Sequence, residues 1–200
     1  MTADKPRLLD LFCGAGGAAM GYHRAGFDVV GVDINPQPHY CGDEFHQADA
    51  MTWPLDGYDA IHASPPCQAW SRATAWTGDR SSHPKLIAPI RARCHASGLP
   101  YVVENVQEAR HVLTAPLMLC GSQFGLPVRS HRYFEVSPPI FDLMPPCHHR
   151  RGDASRDHGA KQTEAAFRDA LGCEWMTVHE ARQAIPPAYT EWIGRQLLDL

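Results

Sequence analysis

The stretch RLLDLFCGAGGAAMGYHRAGFDVVGVDIN, residues 7–35, constrains the fold more than any other. A short apolar run breaks into a glycine cluster, an Ala- and Met-containing helical pattern closes at Gly26, and a second apolar run ends in Asp33. That order is strand, glycine turn, helix, strand. YDAIHASPP reads as a further strand, residues 85–95 as a helix and LPYVVENV as another strand. Strands alternating with helices, with polar residues in the loops after each strand, predict an α/β fold with a parallel sheet. HQADAMTW reads as a loop after a poorly marked helix. Beyond Gly125 the pattern weakens to a strand at RYFEVS, a loop-like stretch over 137–161, and short helices at TEAAFRDALG and TVHEARQAI. IPPAYTEWIGRQLLDL closes the sequence as a helix entered through two prolines.

Two hundred residues suffice for one domain with a proper core, and 44% hydrophobic with 20% charged residues is ordinary for a soluble globular protein. No run approaches a membrane span and MTADKPRLLD lacks a signal-peptide layout, so the expectation is a cytoplasmic protein without membrane contact. Seven cysteines with no CxxC argue against a disulfide framework. The net charge of −4 is unpromising for a nucleic-acid binder until it is mapped. Residues 67–95 hold Arg72, Arg80, Lys85, Arg91 and Arg93 against Asp79 alone, a basic stretch able to track phosphates or simply to face solvent.

That stretch begins at IHASPPCQAWSR. Two prolines fix the backbone and remove amide donors, so a strand must end there in a stiff loop that presents Cys67. A buried structural cysteine is the plainer alternative. Upstream, Gly14, Gly16 and Gly17 sit where a strand gives way to a helix, which suits close approach of backbone to a ligand, and Phe12 can lie against a flat ring. Asp33, ending the next strand, is placed to hold ribose hydroxyls, and Asp49 to accept from an exocyclic amine. Taken singly each acid reads as a cap or a solvated group; together they describe an adenosine pocket.

DLFCGAGG, VDIN, ADA, PPCQ, VVENV and RSHRYFE, in this order over residues 8–135, resemble the ordered motifs of the DNA (cytosine-5) methyltransferase family, and IPPAYTEWIG resembles its closing motif. The short length is similar to compact bacteriophage-type members, from restriction-modification or phage settings. The resemblance implies a Rossmann-like S-adenosylmethionine-dependent methyltransferase fold: a mostly parallel sheet, helices on both faces and a small irregular insert. It divides the chain into a catalytic and cofactor-binding core (1–135), a reduced target-recognition region (136–185) and a C-terminal helix returning to the core (186–200).

The implied reaction transfers a methyl group from S-adenosylmethionine to carbon 5 of cytosine in DNA. By the resemblance Cys67 is the nucleophile that attacks carbon 6, Glu104 binds or protonates ring nitrogen 3, and Arg132 contacts the base carbonyl. Phe12, Cys13, Gly14, Gly16, Gly17, Asp33, Ile34, Asp49, Ala50 and Pro65 would form the cofactor site. Gln68, Ser71, Arg72, Asn105, Arg129, Arg150 and Arg151 would contact DNA, with Asn105 also supporting the loop. The target cytosine of the duplex would be flipped out of the stack, and a monomer is expected, with a helper protein for target recognition as an option. RNA as substrate, a modified methyl donor and a catalytically silent binding module remain alternative readings of the same residues. PPCHHRRGDASRDHGAK offers Cys147, His148, His149 and His158, but their irregular spacing and the adjacent histidines lead to the expectation of no metal site.

Overall fold

In the computed structural model, residues 5–70, 84–149, 154–155 and 164–200 are described. Seven strands form one sheet in the order β3-β2-β1-β4-β5-β8-β6. The strands are β1 (Arg7–Leu11), β2 (Asp28–Asp33), β3 (Glu44–Gln47), β4 (Ala60–Ala63), β5 (Tyr101–Asn105), β6 (Leu117–Leu119) and β8 (Arg132–Ser137). The first five pair in parallel; β8 runs antiparallel to β5, and the edge strand β6 pairs antiparallel to β8 and so runs in the direction of the first five. A separate two-residue pair joins β7 (Val128–Arg129) to β9 (Ala154–Ser155). The helices among the described residues are α1 (Gly17–Ala25), α2 (Ile87–Ser97), α3 (Glu164–Leu171), α4 (Val178–Gln183) and α5 (Pro187–Leu197). This is the expected α/β architecture.

The apolar runs of β1, β2 and β5 are buried on both faces, as parallel strands between helical layers must be. Leu8, Val29 and Val102 face α1 and α5, packing with Tyr22, Tyr189 and Ile193. Leu9, Val32, Ile61 and Val103 point the other way, to Ile87, Ile90 and Cys94 of α2. The α1–α5 contact is close because Gly21 lies against Thr190 and Pro187, and Thr190 donates its hydroxyl to the Ala18 carbonyl at 2.9 Å. A third cluster gathers Phe167, Leu171, Met176 and Ala181 of the α3–α4 region around Ala15 and Val128. The start of α4 is fixed by a capping box in which Thr177 and Glu180 bond each other's backbone amides.

Two expectations for the chain after β2 need correction. No helix lies between Asn35 and Glu44, where Pro36 and Pro38 remove amide donors, and residues 44–47 form an edge strand rather than part of a loop. β6 was equally invisible in the sequence: at three residues, it is too short to show a period.

Candidate active site

Going along the sheet, the chain winds outward from β1 to β2 and β3, then returns to the other side of β1 with β4 and β5. The order therefore reverses between β1 and β4, and a crevice opens beyond the carboxyl ends of those strands, the general position of ligand sites in open α/β sheets. The loop after β1 carries the glycine cluster and the loop after β4 carries Cys67. Ser64 donates its amide to the Leu11 carbonyl at 3.1 Å, which joins the two loops at their roots.

Cys67 is half-buried, behind a buried Pro65 and an exposed Pro66. The loop is tied from both sides. Asn105, at the end of β5 and 1% exposed, donates its side-chain amide to the Pro65 carbonyl at 2.9 Å. Trp70 donates its backbone amide to the Cys67 carbonyl at 2.9 Å, closing a turn whose Ala69 is buried. Beneath the loop, a buried His62 links Tyr22 at 2.9 Å to Ser64 at 2.7 Å.

Glu104 ends β5 beside Asn105, and Arg132 begins β8. The antiparallel register sets Glu104 opposite Phe134, two positions from Arg132, so side chains of 104 and 132 share a face. Arg132 Nε lies 3.0 Å from Glu104 Oε1, both residues being buried, at 9% and 6% exposure. A thiol-bearing loop, a carboxylate and a guanidinium are thus brought to the ends of three adjacent strands.

On the other side of the crevice, Phe12 and Gly14 adopt positive φ, 60° and 50°. Asp33 accepts from the Gly14 amide at 3.1 Å through one carboxylate oxygen and from the Asn35 amide at 2.9 Å through the other. Ile34 next to it is 66% exposed, a large apolar side chain offered to solvent. Asp49 is exposed and caps its own turn through the Met51 amide at 2.8 Å, while the buried Ala50 gives its carbonyl to Arg93. A Cβ at Gly14 would meet nothing within 4 Å, so that backbone is open to a ligand.

The structure adds constraints at several of the assigned residues. Gly16 and Gly17 are small because chain packs on them: a Cβ at Gly16 would come 2.8 Å from Cys41 Sγ, and one at Gly17 2.5 Å from the Ile185 carbonyl. Cys13 is buried, with its thiol pushed up by burial and then by Asp10. Asn105 is a loop anchor and presents no surface to DNA. Arg91 binds the buried Glu135 through Nε at 2.8 and 2.9 Å, and Arg93 donates to the Ala50 and Trp53 carbonyls at 2.8 and 2.6 Å. The basic stretch therefore loses two of its cations to the fold. Gln68 and Arg129 are exposed; Ser71, Arg72, Arg80, Arg150 and Arg151 lie outside the described residues. The expectation of no metal site also has to be reopened. Cys147 and His149 meet Cys120 and His131, with one ligand atom of each within 4.8 Å of the others. His148 does not join, and His158 lies outside the described residues.

The shallow concavity lined by Leu117, Phe134, Val136 and Ile140 on the β6–β8 edge contains none of these groups. No helix among the described residues is long and apolar enough to cross a membrane.

A mostly parallel seven-strand sheet with one reversed strand, β8, next to its edge, carrying a site across its switch point, is the fold of Rossmann-like methyltransferases. The structure is similar over 98% of its length to the S. pombe Dnmt2 methyltransferase (99% of that chain, TM-score 0.63, 14% identity). A similar match links it to the Entamoeba histolytica methyltransferase EhMeth, with a TM-score of 0.64 at 10% identity and 98% coverage of both chains. At the level of sequence, residues 6–112 match the C-5 cytosine-specific DNA methylase family model, and the chain belongs to that family. It is 32% identical over 90 residues to the type II methyltransferase M.FnuDI of Fusobacterium nucleatum, an alignment covering 40% of this chain. To M.NgoPII of Neisseria gonorrhoeae it is 27% identical over 89 residues, covering 38% of this chain. Each alignment covers 26% of the relative, so the chain spans about a quarter of the length of the curated relatives it matches.

Proposed function

We propose that this protein methylates carbon 5 of cytosine in DNA, with Cys67 as the covalent nucleophile. The observation that carries the reading is the convergence of the tethered Cys67 loop with the buried Glu104–Arg132 pair at the ends of β4, β5 and β8.

S-adenosylmethionine is the methyl donor of this family, and when bound it supplies an electrophilic methyl on sulfonium sulfur. The residues present fit it: Gly14 is an open backbone position, the Asp33 carboxylate sits at the end of β2, and Ile34 offers an apolar face. Asp33 would hold the ribose hydroxyls with lone pairs left beyond its two amide contacts, and Ile34 with Phe12 would flank the adenine. Asp49 would accept from the adenine amine.

The Cys67 thiolate would add to carbon 6 of the cytosine, and the ring electron pair would move toward carbon 5, which then takes the methyl. Glu104, held by Arg132, would bind the ring at nitrogen 3 and stabilise the added electron density. Loss of the carbon 5 proton and breakage of the carbon 6–sulfur bond return the aromatic ring and the free thiolate. None of this can reach a stacked base, so the cytosine must be extruded. With 164–185 packed against the core, recognition of the target falls to residues 138–163 and to Gln68 and the residues after it.

The test is methyl transfer from labelled S-adenosylmethionine to duplex DNA, single-stranded DNA and tRNA, with nucleoside analysis of the product. Label as 5-methylcytosine in duplex DNA, lost in Cys67→Ser, is the expected result. Label confined to RNA would change the substrate and leave the site assignment standing; label surviving Cys67→Ser would remove the nucleophile.

A further inference from the structure

The register of the β6–β8 pair ends at Leu119 opposite Arg132. One residue further on, Cys120 and His131 therefore face each other across the antiparallel strands. Cys120 is buried and His131 half-buried. The segment that follows β8 returns to this point: Cys147 Sγ lies 3.7 Å from His131 Nε2, and His149 Nε2 lies 3.2 Å from Cys120 Sγ and 3.1 Å from His131 Nε2.

We propose that Cys120, His131, Cys147 and His149 bind one structural zinc ion. A tetrahedral zinc with bonds of about 2.3 Å to sulfur and about 2.0–2.1 Å to nitrogen requires donor atoms roughly 3.3–3.8 Å apart. Of the three distances above, 3.7 Å falls within that range and 3.2 and 3.1 Å lie just below it, and all four atoms lie within 4.8 Å of one another. The donor set is two soft thiols and two imidazoles, a structural zinc set with no carboxylate or open position. Two thiolates balance the charge of the ion. Around the quartet, Ser122 Oγ reaches Cys120 Sγ at 3.6 Å and accepts from the His148 amide at 3.0 Å, and Gln123 donates to the Pro145 carbonyl at 2.8 Å. Such outer contacts orient metal ligands.

The segment 138–149 has no regular secondary structure and leaves Phe141 and Leu143 exposed; Ile140 and Met144 pack on the core, and its far end, residues 147–149, needs a further anchor. Zinc supplies that anchor. It pins the lead into the insert to the sheet and fixes the Cys120–His131 pair just before Arg132 opens β8. The site does not depend on the methyltransfer reading.

Metal analysis of the intact protein, purified without chelator from zinc-containing medium, tests this. About one zinc per chain is expected, retained in the control Cys41→Ser and lost in Cys147→Ser and Cys120→Ser. Replacing the metal with cobalt(II) should give tetrahedral d–d absorption and thiolate-to-cobalt charge transfer in the wild type. His149→Cys, which keeps four ligands, should bind cobalt and strengthen the charge-transfer band even if the serine variants fail to fold. A metal-free protein that gives no cobalt spectrum would overturn the proposal. So would full zinc retention in both serine variants, or a disulfide between Cys120 and Cys147 in protein from a reducing cytosol.

Discussion

Asn105 holds the Cys67 loop through a single buried contact, its amide to the Pro65 carbonyl. Asn105→Ala leaves that carbonyl without its donor in a site water does not reach, which costs about 1–3 kcal/mol of stability. The loop position suffers more than the cofactor side, so kcat should drop while the KM for S-adenosylmethionine holds. Asn105→Asp, which sets a carboxylate against the carbonyl, should be worse on both counts; steady-state kinetics beside urea denaturation would show this. His62 gives a pH dependence. Burial pushes its imidazole down to about 3, against about 6.5 in an unfolded chain. Its neutral form is accommodated at no cost above pH 6.5; below that the unfolded chain takes up a proton the folded one refuses, and stability falls by about 1.4 kcal/mol per pH unit. Tyr22 and Ser64 bond the ring, and Asp10 is its register partner across β1 and β4. Asp10 acts in the opposite sense, because burial and then Asp33 raise its carboxyl, and stability from that group is lost as pH rises. The difference between wild type and His62→Gln isolates the histidine: the wild type should lose about 2 kcal/mol more than the variant between pH 7 and pH 5. Parallel curves would show that His62 is not buried and neutral.

At the scale of elements, the glycine turn between β1 and α1 does two jobs that substitution separates. Gly17→Ala drives a Cβ to 2.5 Å from the Ile185 carbonyl, where the chain enters α5, and should lower stability by about 1–3 kcal/mol. Gly14→Ala meets nothing; at φ +50° it costs only about 1 kcal/mol of backbone strain. Its effect should appear as weaker S-adenosylmethionine binding, measurable by calorimetry. Helix α2 offers a similar contrast. Arg91 ties it to Glu135 of β8 and to the Val112 carbonyl, and Glu135 also accepts from the Thr114 amide at 2.7 Å. Arg91→Ala strands a buried carboxylate and should cost about 3 kcal/mol. The salt dependence of DNA binding should not change, because this cation neutralises no phosphate. A shallower salt slope in the variant would restore Arg91 to the DNA face.

For the molecule as a whole, what the sequence made legible follows the range of the interactions involved. The β1–turn–α1–β2 unit, the proline-fixed loop at Cys67, the capped helix α4 and the proline-started helix α5 are written in local pattern, and each forms where it was expected. The edge strands β3 and β6 are three or four residues long and owe their existence to neighbours already in place. Arg91 and Arg93 look like surface charge in a linear reading because their acceptors lie 21 to 44 residues away. At Gly16 and Gly17 a linear reading shows only the turn; the returning chain that packs on them is visible in the fold alone. The Cys120, His131, Cys147 and His149 grouping had no signature because antiparallel pairing, rather than spacing, brings its halves together. The grouping proposed as catalytic has the same long-range character, yet the family motifs made it readable: the Cys67 loop, Glu104 and Arg132 come to one end of the sheet only because β4, β5 and β8 are neighbours.

The central claim is that Cys67 attacks carbon 6 of a cytosine presented at the ends of those strands. Duplex DNA carrying 5-fluorocytosine tests it directly, because fluorine at carbon 5 blocks the proton loss needed to release the enzyme. With S-adenosylmethionine present, a denaturation-stable protein–DNA adduct should accumulate, and mass spectrometry of its peptides should place the bond on Cys67. An adduct on another residue, or turnover of unmodified duplex DNA with no adduct on the fluorinated one, would contradict the account.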